Sequence, residues 1–179
     1  MTTMIIFFDL DGVLADFDRG LRELCDFAPC SVNEPRTAAY EEAMWAAIRA
    51  VPHFYARLQP MPGALEMFSG ISRLAGVDCE ILTGIPKPKR GIATAAADKT
   101  EWVRRCLSPD VKLNIVMRED KPLYCRGRDC LLIDDTRANI EAWEAMGGTG
   151  ILHVTPGETA ARVRHEVQAV ADEAGRRQR

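Results

Sequence analysis

The stretch IIFFDLDGVLADF, Ile5 to Phe17, decides the fold. Four apolar residues run without polar alternation into Asp9, Leu10, Asp11 and Gly12. A continuous apolar run of this length fits a strand covered on both faces, as in a parallel sheet. Two carboxylates at the exit of such a strand are costly unless something there binds them.

Working outward, further short apolar runs fall at Cys79 to Leu82, Leu113 to Met117, Cys130 to Ile133 and Gly150 to Val154, and helical spacing occupies Pro62 to Leu74, Asp98 to Leu107, Thr136 to Met146 and Gly157 to Ala174. Strands alternating with helices predict an α/β fold, a doubly wound parallel sheet with right-handed crossovers. The rhythm breaks between Asp16 and Pro60, where LRELCDF and AAYEEAMWAAIRAV are both helix-like with no strand between them. The proline and glycine of LQPMPGA then mark a return to the core. The expected organisation is a core of residues 1–16 and 61–179, with residues 17–60 inserted after the first strand as a small helical cap. The small-residue stretch GIATAAAD, Gly91 to Asp98, reads as a loop.

Composition narrows the function classes. The chain has 179 residues, 47% of them hydrophobic and 27% charged, with a formal net charge of -3. One folded domain is expected, with no bulk positive field to attract a nucleic-acid polymer or an anionic membrane. No apolar run approaches the roughly 20 residues a membrane span needs. The opening MTTMIIFFDL lacks the basic start of a signal peptide, so a cytoplasmic protein is expected, monomeric or homodimeric. The basic ending from Gly175 to Arg179 reads as a solvated terminus. Six cysteines without C-x-x-C pairing read as reduced core thiols, and His53, His153 and His165 share no motif.

In an open parallel sheet, ligands bind beyond the carboxyl ends of the strands. The polar residues at those ends are Asp9 and Asp11, Thr83 and Gly84 in ILTG, Arg118 and Lys121 in VMREDK, and Asp134 and Asp135 in LLIDDT. Singly, each has a plain structural explanation: a helix cap, a strand end, a solvated loop lysine. Together they do not, because two like charges about 4 Å apart repel by roughly 4 kcal/mol at an effective dielectric near 20. A cation or protons must compensate. Oxygen-only ligands with few carboxylates suit Mg²⁺ better than Ca²⁺. With Thr83 and Lys121 as donors, the rim fits a phosphoryl-transfer site.

DLDGV, LTG, a loop lysine and LIDD, in that order at those strand ends, resemble the four motifs of the haloacid dehalogenase superfamily, largely Mg²⁺-dependent phosphatases. More narrowly, DLDGVLADF, FYARLQPMPGALEMF, LTGIPK, DKTEWV and LLIDD are similar to segments of the 5′(3′)-deoxyribonucleotidases. The insertion and the loops around Lys121 depart in length from that pattern. The resemblance implies a small phosphomonoester as substrate, a nucleoside monophosphate in particular. It implies Asp9 as nucleophile forming an aspartyl-phosphate, and Asp11 as the acid that protonates the leaving oxygen and then deprotonates water. It implies Mg²⁺ held by Asp9, the Asp11 carbonyl and Asp135, with Asp134 adjacent or acting through water, the order within that pair staying open. Thr83, the Gly84 amide and Lys121 would bind the phosphoryl oxygens, Lys99 being the rival lysine. Lys121 is preferred because it lies near the fourth motif, whereas DKTEWVRRCL puts Lys99 in the first turn of a helix. Phe17 matches a base-contacting position, and Trp45, Phe54 and Tyr55 either extend an aromatic pocket or form the insertion's own small core. Two alternatives stand: a sugar phosphate or other small phosphomonoester as substrate, and a phospho-accepting receiver domain, which carries its acidic pair and its acceptor on other strands.

Overall fold

The computed structural model describes residues 3–30 and 36–177. Five strands, β1 (Met4–Phe8), β2 (Val77–Gly84), β3 (Lys112–Val116), β4 (Cys130–Asp134) and β5 (Thr149–Leu152), form one sheet in the order β3-β2-β1-β4-β5. All neighbours are parallel. The chain moves outward from β1 through β2 to β3, then returns to the other side of β1 for β4 and β5. Topology therefore reverses between β1 and β4, which opens a crevice at their carboxyl ends. The order also separates this sheet from that of receiver domains, which run 2-1-3-4-5.

Alternate residues of the central strands feed opposite layers. Ile6, Phe8, Ile81, Leu131 and Ile133 join the larger core with Phe68 and Ile71 of α3 (Ala64–Ser72), Trp102 and Val103 of α4 (Ala95–Cys106), and Val163 of α6 (Pro156–Arg177). Phe7, Leu82 and Leu132 face the other way onto Ile140 and Trp143 of α5 (Arg137–Ala145). Edge-to-face ring pairs stitch each layer, Phe8 on Phe68 at 5.1 Å and Phe7 on Trp143 at 5.4 Å.

Between β1 and α3 lie α1 (Phe17–Cys25), α2 (Ala38–Arg49) and a 3-10 turn at Tyr55–Arg57. Asp16 caps α1 by accepting from the Arg19 amide at 3.0 Å, and Thr37 caps α2 by accepting from Tyr40. Leu21, Met44, Ile48, Phe54 and Leu58 belong to the same apolar cluster as Phe8 and Ile81, so the inserted helices share the sheet's core. Gly20 permits the closest part of this packing, since a Cβ there would stand 2.2 Å from a methyl of Leu58. The Trp102 indole donates to the Leu58 carbonyl at 2.8 Å and fastens the returning chain to α4.

Two local expectations are corrected. The segment Gly91 to Asp98 is a loop only in its first half, because Ala95 already opens α4. Alanine, having no side-chain entropy to lose, starts a helix as readily as it fills a loop. Lys99 accordingly lies beyond the first turn and is buried. The basic ending Gly175 to Arg179 falls partly outside the described residues. Cys25, Cys79, Cys106, Cys125 and Cys130 are thiols, and no described helix is long and apolar enough to cross a membrane.

Candidate active site

The crevice is built from the ends of the two central strands. Beyond β1, the Asp9 amide still donates to the Ile133 carbonyl at 2.9 Å, so the carboxylate leaves a backbone locked to β4. The Leu10 amide donates to Asp9 Oδ1 at 2.8 Å while the Leu10 side chain turns into the core. The Leu10 carbonyl then collects the amides of Leu14 and Ala15, which reverses the chain. Gly12 sits in this turn at φ +79°, and a Cβ there would meet Asp135 Oδ2 at 2.2 Å. Only glycine satisfies both the backbone conformation and the approach of the second acidic pair.

Carboxylate oxygens of Asp9, Asp134 and Asp135 lie within 4.8 Å of one another. Lys121, in a 3-10 turn at Arg118–Tyr124, is buried between the first two, with Nζ 3.0 Å from Asp9 Oδ1 and 2.7 Å from Asp134 Oδ2. Asp134 is fully buried and further held by the Thr136 amide on Oδ1 and by the Asn139 side-chain amide on both oxygens. Its oxygens are taken. Asp135 reaches the open rim and has the freer carboxylate.

Across the crevice a second lysine is buried. Lys99 Nζ donates to Asp11 Oδ2 at 2.6 Å, Thr83 Oγ1 at 2.9 Å and the Gly84 carbonyl at 2.8 Å, and sits 4.8 Å from the centre of the Tyr55 ring. The neighbouring Asp98 is tied down by the Thr94 hydroxyl at 2.9 Å and by His53 Nδ1 at 2.8 Å.

Electrostatics follow from crowding. Although Asp135 stands at the exposed rim, desolvation of its carboxyl by the crevice walls and then the charges of Asp9, Asp134 and Asp11 push it up to about 7. Asp11 and Asp134 are also raised, mainly by burial and then partly relieved by Lys99 and by Lys121 respectively, with Asp9 adding to both shifts. Burial pulls Lys121 down, but the Asp9 and Asp134 carboxylates outweigh it and its pKa is raised. An all-oxygen cluster of three carboxylates, one of them unable to ionise freely at neutral pH, is what a hard divalent cation would relieve, so the residues fit Mg²⁺. A measurable consequence is the pH profile of stability. Each raised carboxyl holds its proton more tightly in the folded state than in the unfolded chain, whose aspartates titrate near about 3.9. That contribution is fully present below about pH 4 and is lost as the pH rises through about 7 for Asp135. The melting temperature of metal-free protein should therefore fall across this window, and saturating Mg²⁺ should flatten the decline; a profile indifferent to Mg²⁺ would contradict the cluster's role.

The sheet order and the switch-point crevice give the chain a haloacid dehalogenase-like fold, and its family and relatives make it a phosphatase. The chain belongs to the family described as "5′ nucleotidase, deoxy (Pyrimidine), cytosolic type C protein", whose model matches residues 3–171. It is 31% identical over 144 residues to a Bordetella pertussis protein named "Putative 5'(3')-deoxyribonucleotidase", covering 74% of each chain. It is 29% identical over 142 residues to the human cytosolic 5′(3′)-deoxyribonucleotidase, covering 71% of this chain and 68% of that one. Among solved structures, a hydrolase from Streptococcus pneumoniae superposes with a TM-score of 0.54 at 14% identity, covering 92% of this chain and 100% of the other. A haloacid dehalogenase-like protein from the same species gives 0.52 at 12% identity, covering 83% of each. At such identities the likeness is one of fold.

The structure brings Asp9, Asp11, Thr83, Gly84, Lys121, Asp134 and Asp135 to one crevice, and Lys99 with them. Phe17 opens α1 half-buried, edge-on to Phe54 at 5.6 Å. Phe54 and Tyr55 are buried at 1% and 2% exposure, which makes them core and removes them as stacking platforms. Trp45 is half-buried, with the Arg90 guanidinium 5.4 Å over its ring, and Arg90 also pairs with Glu41 and Glu42 of α2. Asn139 escaped the sequence reading, although an amide five residues after Asp134 falls in the first turn of α5, whose N-terminus faces the crevice.

Proposed function

We propose that this chain hydrolyses the phosphate ester of a nucleoside monophosphate, a 5′(3′)-deoxyribonucleotidase activity, through a covalent aspartyl-phosphate on Asp9 and with Mg²⁺ as cofactor. The observation that carries the proposal is the meeting of Asp9, Asp134, Asp135 and Lys121 at the β1/β4 switch point, in a chain of the nucleotidase family. Asp9, on a backbone locked to β4, attacks phosphorus in line with the ester oxygen, and the P–O ester bond breaks. Asp11 gives its proton to the departing alkoxide and later takes one from the water that opens the acyl phosphate. Its raised pKa suits an acid that keeps its proton until the alkoxide forms. Lys121, the Thr83 hydroxyl and the Gly84 amide supply donors for the phosphoryl oxygens, where negative charge gathers. Asp9, the Asp11 carbonyl and Asp135 would hold Mg²⁺, whose charge offsets the repulsion between an anionic nucleophile and an anionic ester. Asp134, saturated by Lys121, Thr136 and Asn139, acts from behind them.

Residues 17–60 serve as a cap over the leaving group. Phe17 offers a half-exposed ring for a base, and Trp45 lines the approach with one face backed by Arg90. The working location is the cytoplasm, and no nucleic-acid polymer or membrane partner is called for.

The test is a panel of deoxy- and ribonucleoside monophosphates, sugar phosphates and 4-nitrophenyl phosphate, assayed with Mg²⁺ and with chelator. Nucleotide-selective, Mg²⁺-dependent turnover is expected. Turnover confined to sugar phosphates would overturn the substrate assignment, and absence of all monoester cleavage would overturn the reaction.

A further inference from the structure

Two lysines are buried in the crevice, and their surroundings differ in a way that assigns them different work. A lysine ammonium has three N–H donors and no more. Those of Lys99 have three acceptors at hydrogen-bond distance, Asp11 Oδ2, Thr83 Oγ1 and the Gly84 carbonyl. Nothing remains to grip a phosphoryl oxygen. Lys121 has two acceptors among the described residues, Asp9 and Asp134, and so keeps one N–H for the substrate.

The consequence for Asp11 is specific. Oδ2 is engaged as an acceptor from a cation, while Oδ1 is buried without any partner among the described residues. Thr83 is ordered by the same ammonium: its oxygen accepts from Lys99 at 2.9 Å while its O–H points at the Gly84 carbonyl at 3.4 Å. The placement of Lys99 is firm. It is 1% exposed, covered by the Tyr55 ring, and carried on a helix whose preceding residue, Asp98, is held by Thr94 and His53.

We infer that Lys99 is a positioning residue for the acid–base group. By holding Asp11 Oδ2 it fixes in place the carboxyl that delivers the proton to the leaving alkoxide and recovers one from water. This rests on the phosphatase mechanism proposed above. The step balances: the Asp9 carboxylate bonds to phosphorus as the P–O ester bond breaks, the ester electron pair goes to the leaving oxygen, and that oxygen takes the Asp11 proton. Lys99 stays an ammonium throughout.

A phosphate-gripping lysine and a lysine that positions the acid predict different dependence on the leaving group. The experiment compares Lys99→Met with wild type by kcat/KM, which ends at the first irreversible phosphoryl transfer, on a nucleoside monophosphate and on 4-nitrophenyl phosphate. An alkoxide needs the proton and 4-nitrophenolate does not. Losing a well-placed general acid costs about 10²-fold or more. The expected loss is thus about 10²-fold on the nucleotide and, by the same reasoning, no more than about a tenth of that on the aryl ester. Equal losses on both substrates, or no loss on either, would overturn the inference. Should Lys99→Met fail to fold, with Asp11 left facing no cation, the double variant Asp11→Asn/Lys99→Met removes both charges and is compared with Asp11→Asn. Equal kcat/KM for these two on the nucleotide supports action through Asp11, and a further tenfold loss in the double variant overturns it. Wild type inactive on every monoester would instead defeat the underlying mechanism, a result the paired comparison keeps separate.

Discussion

Asp9→Asn should abolish turnover, lowering kcat by roughly 10⁴-fold or more, as removal of a covalent nucleophile does, while leaving the folded structure in place. The two halves of this expectation have separate causes. The amide oxygen of asparagine is a poor nucleophile and cannot form the acyl phosphate. The fold survives because the backbone of residue 9 is held by the Ile133 carbonyl, independently of the side chain. The substitution also removes one of three carboxylates crowded within 4.8 Å, which offsets the lost pairing with Lys121. Steady-state hydrolysis beside a thermal melt checks both. Turnover within about tenfold of wild type would reject Asp9 as nucleophile, since no covalent catalyst tolerates loss of the attacking group to that extent.

Lys121→Met should damage both chemistry and stability. Its ammonium is buried between Asp9 and Asp134, with side chains exposed by only 3%, 11% and 0% respectively. Removing one partner of a buried ion pair leaves an uncompensated charge and typically costs about 3 to 5 kcal/mol. Asp134 keeps its bonds from Thr136 and Asn139, so the lower part of that range is expected. The loss should be largest without metal and smaller with saturating Mg²⁺, because the ion takes over part of the missing positive charge. Urea denaturation in the two conditions measures the difference. Activity should fall about 10² to 10³-fold, as for a lost transition-state donor. A variant as stable as wild type in chelator would show that the cluster does not depend on this lysine.

Most of the architecture was legible in the sequence because both its signals are local. IIFF and CLLI are too uniformly apolar to face water on either side, and the five runs alternate with helical spacing. The carboxyl-end rule then collects Asp9, Asp11, Thr83, Lys121, Asp134 and Asp135 without any knowledge of their contacts. What local signals could not supply was which side chains share a partner. Lys99 follows an alanine-rich stretch and reads as a first-turn helix residue, yet α4 starts at Ala95 and buries it against Asp11, 88 residues away in sequence. Phe54 and Tyr55 follow the same logic in reverse. Aromatic content marked them as pocket or core alike, and only the packing of the 3-10 turn on α4 and α1 places them inside.

Among the described residues the inserted helices have no separate hydrophobic cluster: Leu21, Met44, Ile48, Phe54 and Leu58 bury themselves in the cluster that also contains Phe8 and Ile81. Replacing the inserted segment with a foreign one would consequently strip the sheet of part of its lining. A workable chimera must inherit Phe54, Leu58 and the Gly20 contact along with whatever new walls it brings.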